Sequence, residues 1–231
     1  MVKREDSVLR YDITESRKGN LEMAITTRDE NLKAFKDMLL STKRGGVENV
    51  LEGLEKLGFF KAPASSKHHL AEEGGLVEHS LNVYDQACAI RHAEIQLHPE
   101  LAERLPDDSL IIVSLLHDVC KAEIYKSELK HRKNADGRWE DYTGFTPDYS
   151  AMPLGHGEKS VIRLLRMGLE LTNDEILAIR WHMANWDLAD SFEAKGNFNA
   201  ACEKCPLLSI LIAADGLATR ITEGETPAAQ P

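Results

Sequence analysis

Apolar positions along the chain recur at three and four residues, in blocks separated by glycine, proline and short polar stretches. Leu32, Phe35 and Leu39 form the first stripe, with Thr27 or Asp29 placed to cap its helix. Gly45-Gly46 interrupts it, and Val47, Val50, Leu51, Leu54 and Leu57 form a second stripe that stops at Gly58. Pro63-Ala64-Ser65-Ser66 reads as a loop. A long helix is predicted from about Gly75 to His98, with Leu76, His79, Val83, Ala87 and Ile90 on one face. Pro106-Asp107-Asp108-Ser109 opens the next, which carries Leu110 to about Tyr125. It is apolar nearly all round at its start, as a helix in the middle of a bundle is.

Residues 126–154 hold Asp136-Gly137, Gly144, Pro147 and Pro153 and are predicted irregular. Helices are predicted again at about 156–168 and 173–183, followed by a polar loop to about 204. Pro206 then starts a last helix, Leu207 to Ile221. No strand-like alternation and no internal repeat emerges, so the predicted fold is all-α. The expected organisation is an N-terminal arm over residues 1–28, a single helical domain over 29–222 and a disordered tail over 223–231.

Composition narrows the function classes. With 231 residues and 42% hydrophobic positions, the chain can build one sizeable core. Its longest apolar runs, such as Leu110-Ile111-Ile112-Val113, fall far short of the ~20 residues that span a bilayer. The start, Met1 to Asp6, lacks the apolar core of a signal peptide. Four cysteines do not make a disulfide scaffold. The expectation is a soluble cytoplasmic protein without a membrane partner. A net charge of −10, from 28 Lys and Arg against 38 Asp and Glu, argues against duplex nucleic acid as a partner.

Histidine changes the picture. His117-Asp118 directly follows Ile111-Ile112-Val113-Ser114-Leu115-Leu116, where an unpaired polar pair would cost several kcal/mol. A metal ion removes that cost, because the imidazole lone pair and the carboxylate both turn toward a cation. Lys121 shares their helical face and suits an anionic substrate. His79 lies on the apolar stripe of its helix, three residues after Leu76, and Asp215 lies three after Ile212. His182 follows Ile179 by three, and His156 stands in Gly155-His156-Gly157 at a predicted helix start, where the helix dipole favours a neutral ring. Each alone is an ordinary core residue; together they are four histidines and two aspartates, each on an inward position.

The order His79, His117-Asp118, His156, His182 and Asp215 resembles the HD superfamily of metal-dependent phosphohydrolases. Gly74-Gly75-Leu76-Val77-Glu78-His79-Ser80, Leu115-Leu116-His117-Asp118-Val119-Cys120-Lys121 and Leu154-Gly155-His156-Gly157 carry the resemblance, over about residues 69–219. They are most similar to a branch with bacterial 3′-to-5′ exoribonucleases and uncharacterised hydrolases. Cys120 departs from the glycine common there, and no nucleic-acid-binding domain is recognisable in the residues ahead of the helices, so RNA is not the expected substrate on this ground. The resemblance implies an HD-type helical bundle in which His79, His117, Asp118 and Asp215 hold one metal. Asp118 would bridge to a second held by His156 and His182, with Asp118 and Lys121 as the catalytic pair. It implies hydrolysis of a phosphate ester in a nucleotide or short single strand, with a hydroxide generated at two divalent ions. Mixed His and carboxylate donors favour Mn or Fe, with Mg, Co or Ni as further choices. The alternatives are a mononuclear nucleotide phosphatase and a catalytically silent nucleotide-binding module.

Weaker signals surround these. Lys126, Lys130, Arg132, Lys133 and Arg138, against Glu128 and Asp136, either guide a phosphorylated substrate or form a solvated loop. Trp139, Tyr142 and Phe145 in the same stretch either stack on a base or pack the loop down, and Trp186, four after His182, is a second platform. His68-His69 lies in the loop before the first metal motif, where one of the pair, taken as His69, either contacts a phosphate or serves as an N-terminal cap. Cys202-Glu203-Lys204-Cys205 has ligand spacing but no second pair, and reads as two small residues near a helix start.

Overall fold

The computed structural model describes residues 21–134 and 136–224. Residues 1–20 of the expected arm and 225–231 of the expected tail lie outside this range. The first helix, α1, already spans Leu21–Ser41, ahead of the anticipated Thr27 or Asp29 cap. Helix α2 covers Val47–Leu57 and turns off at Gly58, whose φ of 76° places it in the left-handed region. Helix α3 (Gly75–Leu97) is the long central rod. Helices α4 (Asp107–Leu116), α6 (His156–Arg166), α7 (Asn173–Trp181), α8 (Phe192–Lys204) and α9 (Pro206–Leu217) complete the bundle, with a single-turn α5 at Lys121–Ile124. Helix α3 packs on α1, α4 and α9, while α7 packs on α4, α6 and α9. Leu76, Ile112, Leu115, Leu116, Ile179 and Leu211 fill the space between them.

Three sequence expectations need correction. The helix opened by Pro106 does not run on to Tyr125. It ends at Leu116, and the chain turns through His117–Cys120 on i→i+3 bonds such as Lys121 N–H to Asp118 O at 2.9 Å. The polar stretch before residue 204 is not a loop throughout: Ser191 caps α8 by accepting from the Ala194 amide. That helix buries little besides Ala201, so it left no apolar stripe to read.

The third correction concerns the fold class. The molecule is mostly helical, but residues 126–154 are not irregular. Strands β1 (Tyr125–Lys133) and β2 (Trp139–Pro147) form an antiparallel hairpin, in register from Tyr125 opposite Pro147 to Lys133 opposite Trp139. Gly137 supplies the positive φ of 76° at the turn, and Asn134 Oδ1 accepts from the Asp136 and Arg138 amides. Alternation was illegible because nearly every side chain of the hairpin faces solvent. Its basic residues are tied down rather than free: Arg132 pairs with Glu140 at 2.7 Å, Lys130 with Glu128 at 3.3 Å, and Lys126 with Asp148. Lys133 lies over Trp139, Arg132 lies over Tyr142, and Phe145 is buried. These contacts favour the packing alternative for this cluster.

Among the described residues no single helix is long and apolar enough to cross a membrane. Phe192–Lys204 and Pro206–Thr222 reach that length only together, across a 101° bend.

Candidate metal centre

Five segments deliver the site. His79 comes from the second turn of α3, buried against α4 and α9. His117 and His182 occupy the same position on two helices, the residue just past the end of α4 and of α7. A helix terminus leaves carbonyls without intrahelical partners, and each ring uses one. His117 Nδ1–H donates to Ser114 O at 2.9 Å and His182 Nδ1–H to Ile179 O at 2.8 Å. A carbonyl only accepts, so Nδ1 carries the proton and Nε2 keeps its lone pair. His79 reaches the same tautomer by donating Nδ1–H to Glu223 at 3.1 Å. The freed Nε2 atoms of His79, His117 and His182 are buried without a hydrogen-bond partner among the described residues.

All three point at carboxylates. Asp118, in the turn after α4, divides its two oxygens between them. Oδ2 lies 3.3 Å from His117 Nε2 and 3.6 Å from His79 Nε2. Oδ1 lies 2.5 Å from His156 Nε2 and 3.4 Å from His182 Nε2. Asp215, on α9, stands 3.4 Å from His79 Nε2. Potential ligand atoms gather within 4.8 Å of one another in the sets His79, His117, Asp215 and His117, Asp118, His182. This buried His and Asp group could hold a metal ion: its rings are oriented by partners on their far sides, and among the described residues Lys121 is the one Lys or Arg side chain paired with its carboxylates.

His156 reaches Asp118 because α6 starts hard against the end of α7. A side chain on Gly157 would put Cβ 2.5 Å from Ile179 O and inside the Arg180 carbonyl. The glycine is therefore what lets the His156 ring sit beside that of His182, with ring centroids 5.5 Å apart. Cys120 Sγ lies 3.4 Å from the other His156 nitrogen, and the Cys120 amide donates to Ser160 Oγ.

Electrostatics follow from this geometry. Burial alone would lower the pKa of His79, but Asp118, Asp215 and Glu223 outweigh it and hold the ring well above its usual range. His156 is likewise penalised by burial, yet Cys120 and Asp118 raise it to about 9. Burial would raise Asp118, but Lys121, at 2.6 Å from Oδ2, and the histidines hold it well below the carboxylate range. Protons thus compensate the carboxylates in the metal-free chain. The folded pKa values of His79 and His156 exceed the unfolded value of about 6.5, so their stabilisation is full below that pH and is lost as pH rises through the folded values, which for His156 is about 9. Melts in EDTA are expected to show Tm falling from pH 6.5 to 9. With a divalent ion the trend reverses, because protons and metal compete for one set of donors. An EDTA profile that rises across this window contradicts the scheme.

The remaining expected residues fall around this centre. Lys121 is 13% exposed and bonded to Asp118. His69 packs on His79 with ring centroids 5.3 Å apart, and its Nε2 is 4.0 Å from Glu223. Burial, with His79 and Lys121 nearby, lowers His69 to about 4. Trp186 stands 85% exposed on the short 3₁₀ turn Ala184–Asp187, sharing a cavity wall with His156. Cys202 and Cys205 join no ligand group among the described residues, and the Cys205 thiol donates to Asp174 O.

Sequence reasoning missed Glu223, which was assigned to the tail. Its side chain is 1% exposed and accepts from His79 and from Asn82 Nδ2 at 2.9 Å. It follows α9 and a π-helical turn in a Gly- and Glu-rich segment with no periodicity, so no signal marked it. Glu223→Gln removes the charge that fixes the His79 tautomer, and metal affinity is expected to fall about 10- to 100-fold with the fold intact. Competition with a fluorescent chelator measures it, and unchanged affinity would remove Glu223 from the centre. No protein-family model, curated protein or solved structure matches this chain.

Proposed function

We propose that this chain is a metal-dependent phosphohydrolase of the HD type, with a binuclear centre that cleaves a phosphate ester of a nucleotide or short single strand. The observation that carries the reading is the division of Asp118. One oxygen faces His79 and His117, the other His156 and His182, as a carboxylate shared between two cations requires. In this reading His79, His117, Asp215 and Asp118 would hold one ion, and His156, His182 and Asp118 would hold the other. The pair of ions would supply Lewis acidity toward a phosphoryl oxygen and toward water. Imidazole with carboxylate suits Mn or Fe better than Mg, which prefers more oxygen.

The protein's own groups do the rest. Glu223 and the Ser114 and Ile179 carbonyls lock the rings so that no rotation is needed when substrate arrives. Lys121 uses one N–H on Asp118 and keeps two donors for a phosphoryl oxygen, stabilising charge that grows during displacement.

Purified protein loaded with Mn and assayed on bis-(p-nitrophenyl) phosphate tests this reading, with metal counted by elemental analysis. About two ions per chain and turnover are expected. One ion per chain favours the mononuclear alternative, and silence at every metal concentration favours a binding module. Lys121→Ala should lose activity about 10²-fold or more while retaining the metals. Metal loss in that variant contradicts the role given to Lys121.

A further inference from the structure

On the side of the centre formed by His156, helix α6 carries a second unusual residue. Lys159 follows His156 by three, so both project from one face of α6. Lys159 is 3% exposed, yet it has no hydrogen bond or ion pair among the described residues. The stem of Lys159 is covered, while its ammonium is not sealed from water. Lys159 lines a cavity of about 260 Å³ with His156, Tyr149, Met183, Trp186 and Asp187. Asp187 does not neutralise it: its carboxylate is engaged by Arg180 Nη1 at 3.5 Å and the Gly157 amide at 3.3 Å. Trp186 and Tyr149 are both largely exposed on the rim. The turn that presents Trp186 includes Ala184 at φ 45°, a left-handed conformation that a non-glycine residue adopts only when its surroundings impose it.

We propose that this cavity is a substrate subsite, in which Lys159 binds a second, uncleaved phosphate and Trp186 stacks on the adjoining base. The inference rests on the phosphohydrolase reading and narrows its substrate to nucleotides with two phosphates, such as a 5′-phosphorylated dinucleotide. An uncompensated cation one helical turn from His156 is what a neighbouring phosphate needs, and an exposed indole provides a stacking face indifferent to base identity.

The test uses the full chain loaded with Mn and compares two probes, 5′-phosphorylated diadenylate and bis-(p-nitrophenyl) phosphate. In Lys159→Met the ratio of kcat/KM for the dinucleotide to that for the small diester should fall about tenfold or more. Calorimetric Kd for the dinucleotide should rise by a similar factor, and Trp186→Leu should also weaken it. Far-UV circular dichroism and Tm of Lys159→Met should match those of the wild-type chain, so that a change in the ratio reads the lost contact and not the fold. Equal losses on both probes, an unchanged Kd, or no binding by the wild-type chain would each overturn the subsite. Failure of the wild-type chain to hydrolyse either probe sinks the phosphohydrolase reading instead, and Kd then judges the subsite alone.

Discussion

Asp118→Ala is expected to abolish metal retention and turnover together, lowering kcat/KM on bis-(p-nitrophenyl) phosphate by at least about 10³-fold. The reason is that Asp118 is approached by all four histidines of the centre and by Lys121. Its Oδ2 is shared by His79, His117 and Lys121, and its Oδ1 by His156 and His182. Removing it leaves each proposed ion with one donor fewer and leaves nothing between them. Asp118→Asn is the sharper variant, since it keeps the shape and loses only the charge. Elemental analysis should find fewer than about one ion per chain in both variants, with far-UV circular dichroism unchanged. In EDTA, His79 and His156 would lose a carboxylate that raises them, so the fall of Tm between pH 6.5 and 9 should flatten. An Asp118→Asn protein with full metal content and activity would end the binuclear scheme.

The parts of this centre that were legible in sequence share one property: they are polar residues at apolar helical positions. His79 lies in step with Leu76 and Val83, and Asp215 three after Ile212, so periodicity alone placed them inward. His117 and His182 were expected on helix faces and instead stand just past helix ends, where free carbonyls orient their rings. Spacing does not reveal that difference, because i−3 is one turn away in either case. Glu223 and the hairpin were illegible for the opposite reason. Glu223 is buried by the chain returning over α3, a long-range event with no local pattern. Most hairpin positions are exposed and only Gly144 and Phe145 are buried, so neither the period of a strand nor that of a helix is written into them. Lys159 was hidden because a lysine on a helix normally reads as surface, and only the packing around α6 shows that it is not.

Away from the centre, Arg44→Met is expected to be the most destabilising single change at a distance from the metal ligands. Arg44 lies in the link between α1 and α2 and reaches across to α7. Its guanidinium donates to Glu175 at 2.7 and 2.9 Å, to Asp108 at 2.6 Å and to the Glu170 carbonyl at 3.0 Å. Glu175 is fully buried and also accepts from Ser109 Oγ and the Thr172 amide, so it joins the starts of α4 and α7. The pair is shielded from salt and from water, unlike the exposed pairs of the hairpin. Breaking it leaves a carboxylate buried without its cation, which costs about 3–5 kcal/mol and lowers Tm by roughly 6–20 °C for a domain of this size. Replacing both partners with apolar residues, as Arg44→Met with Glu175→Leu, removes the stranded charge and should recover much of the loss. Thermal melts of the two single variants and the double variant form the cycle. Additive losses, with no recovery in the double variant, would show that the network contributes packing rather than charge compensation. The folded fraction of Arg44→Met should keep its metal, since none of its partners is a residue of the centre.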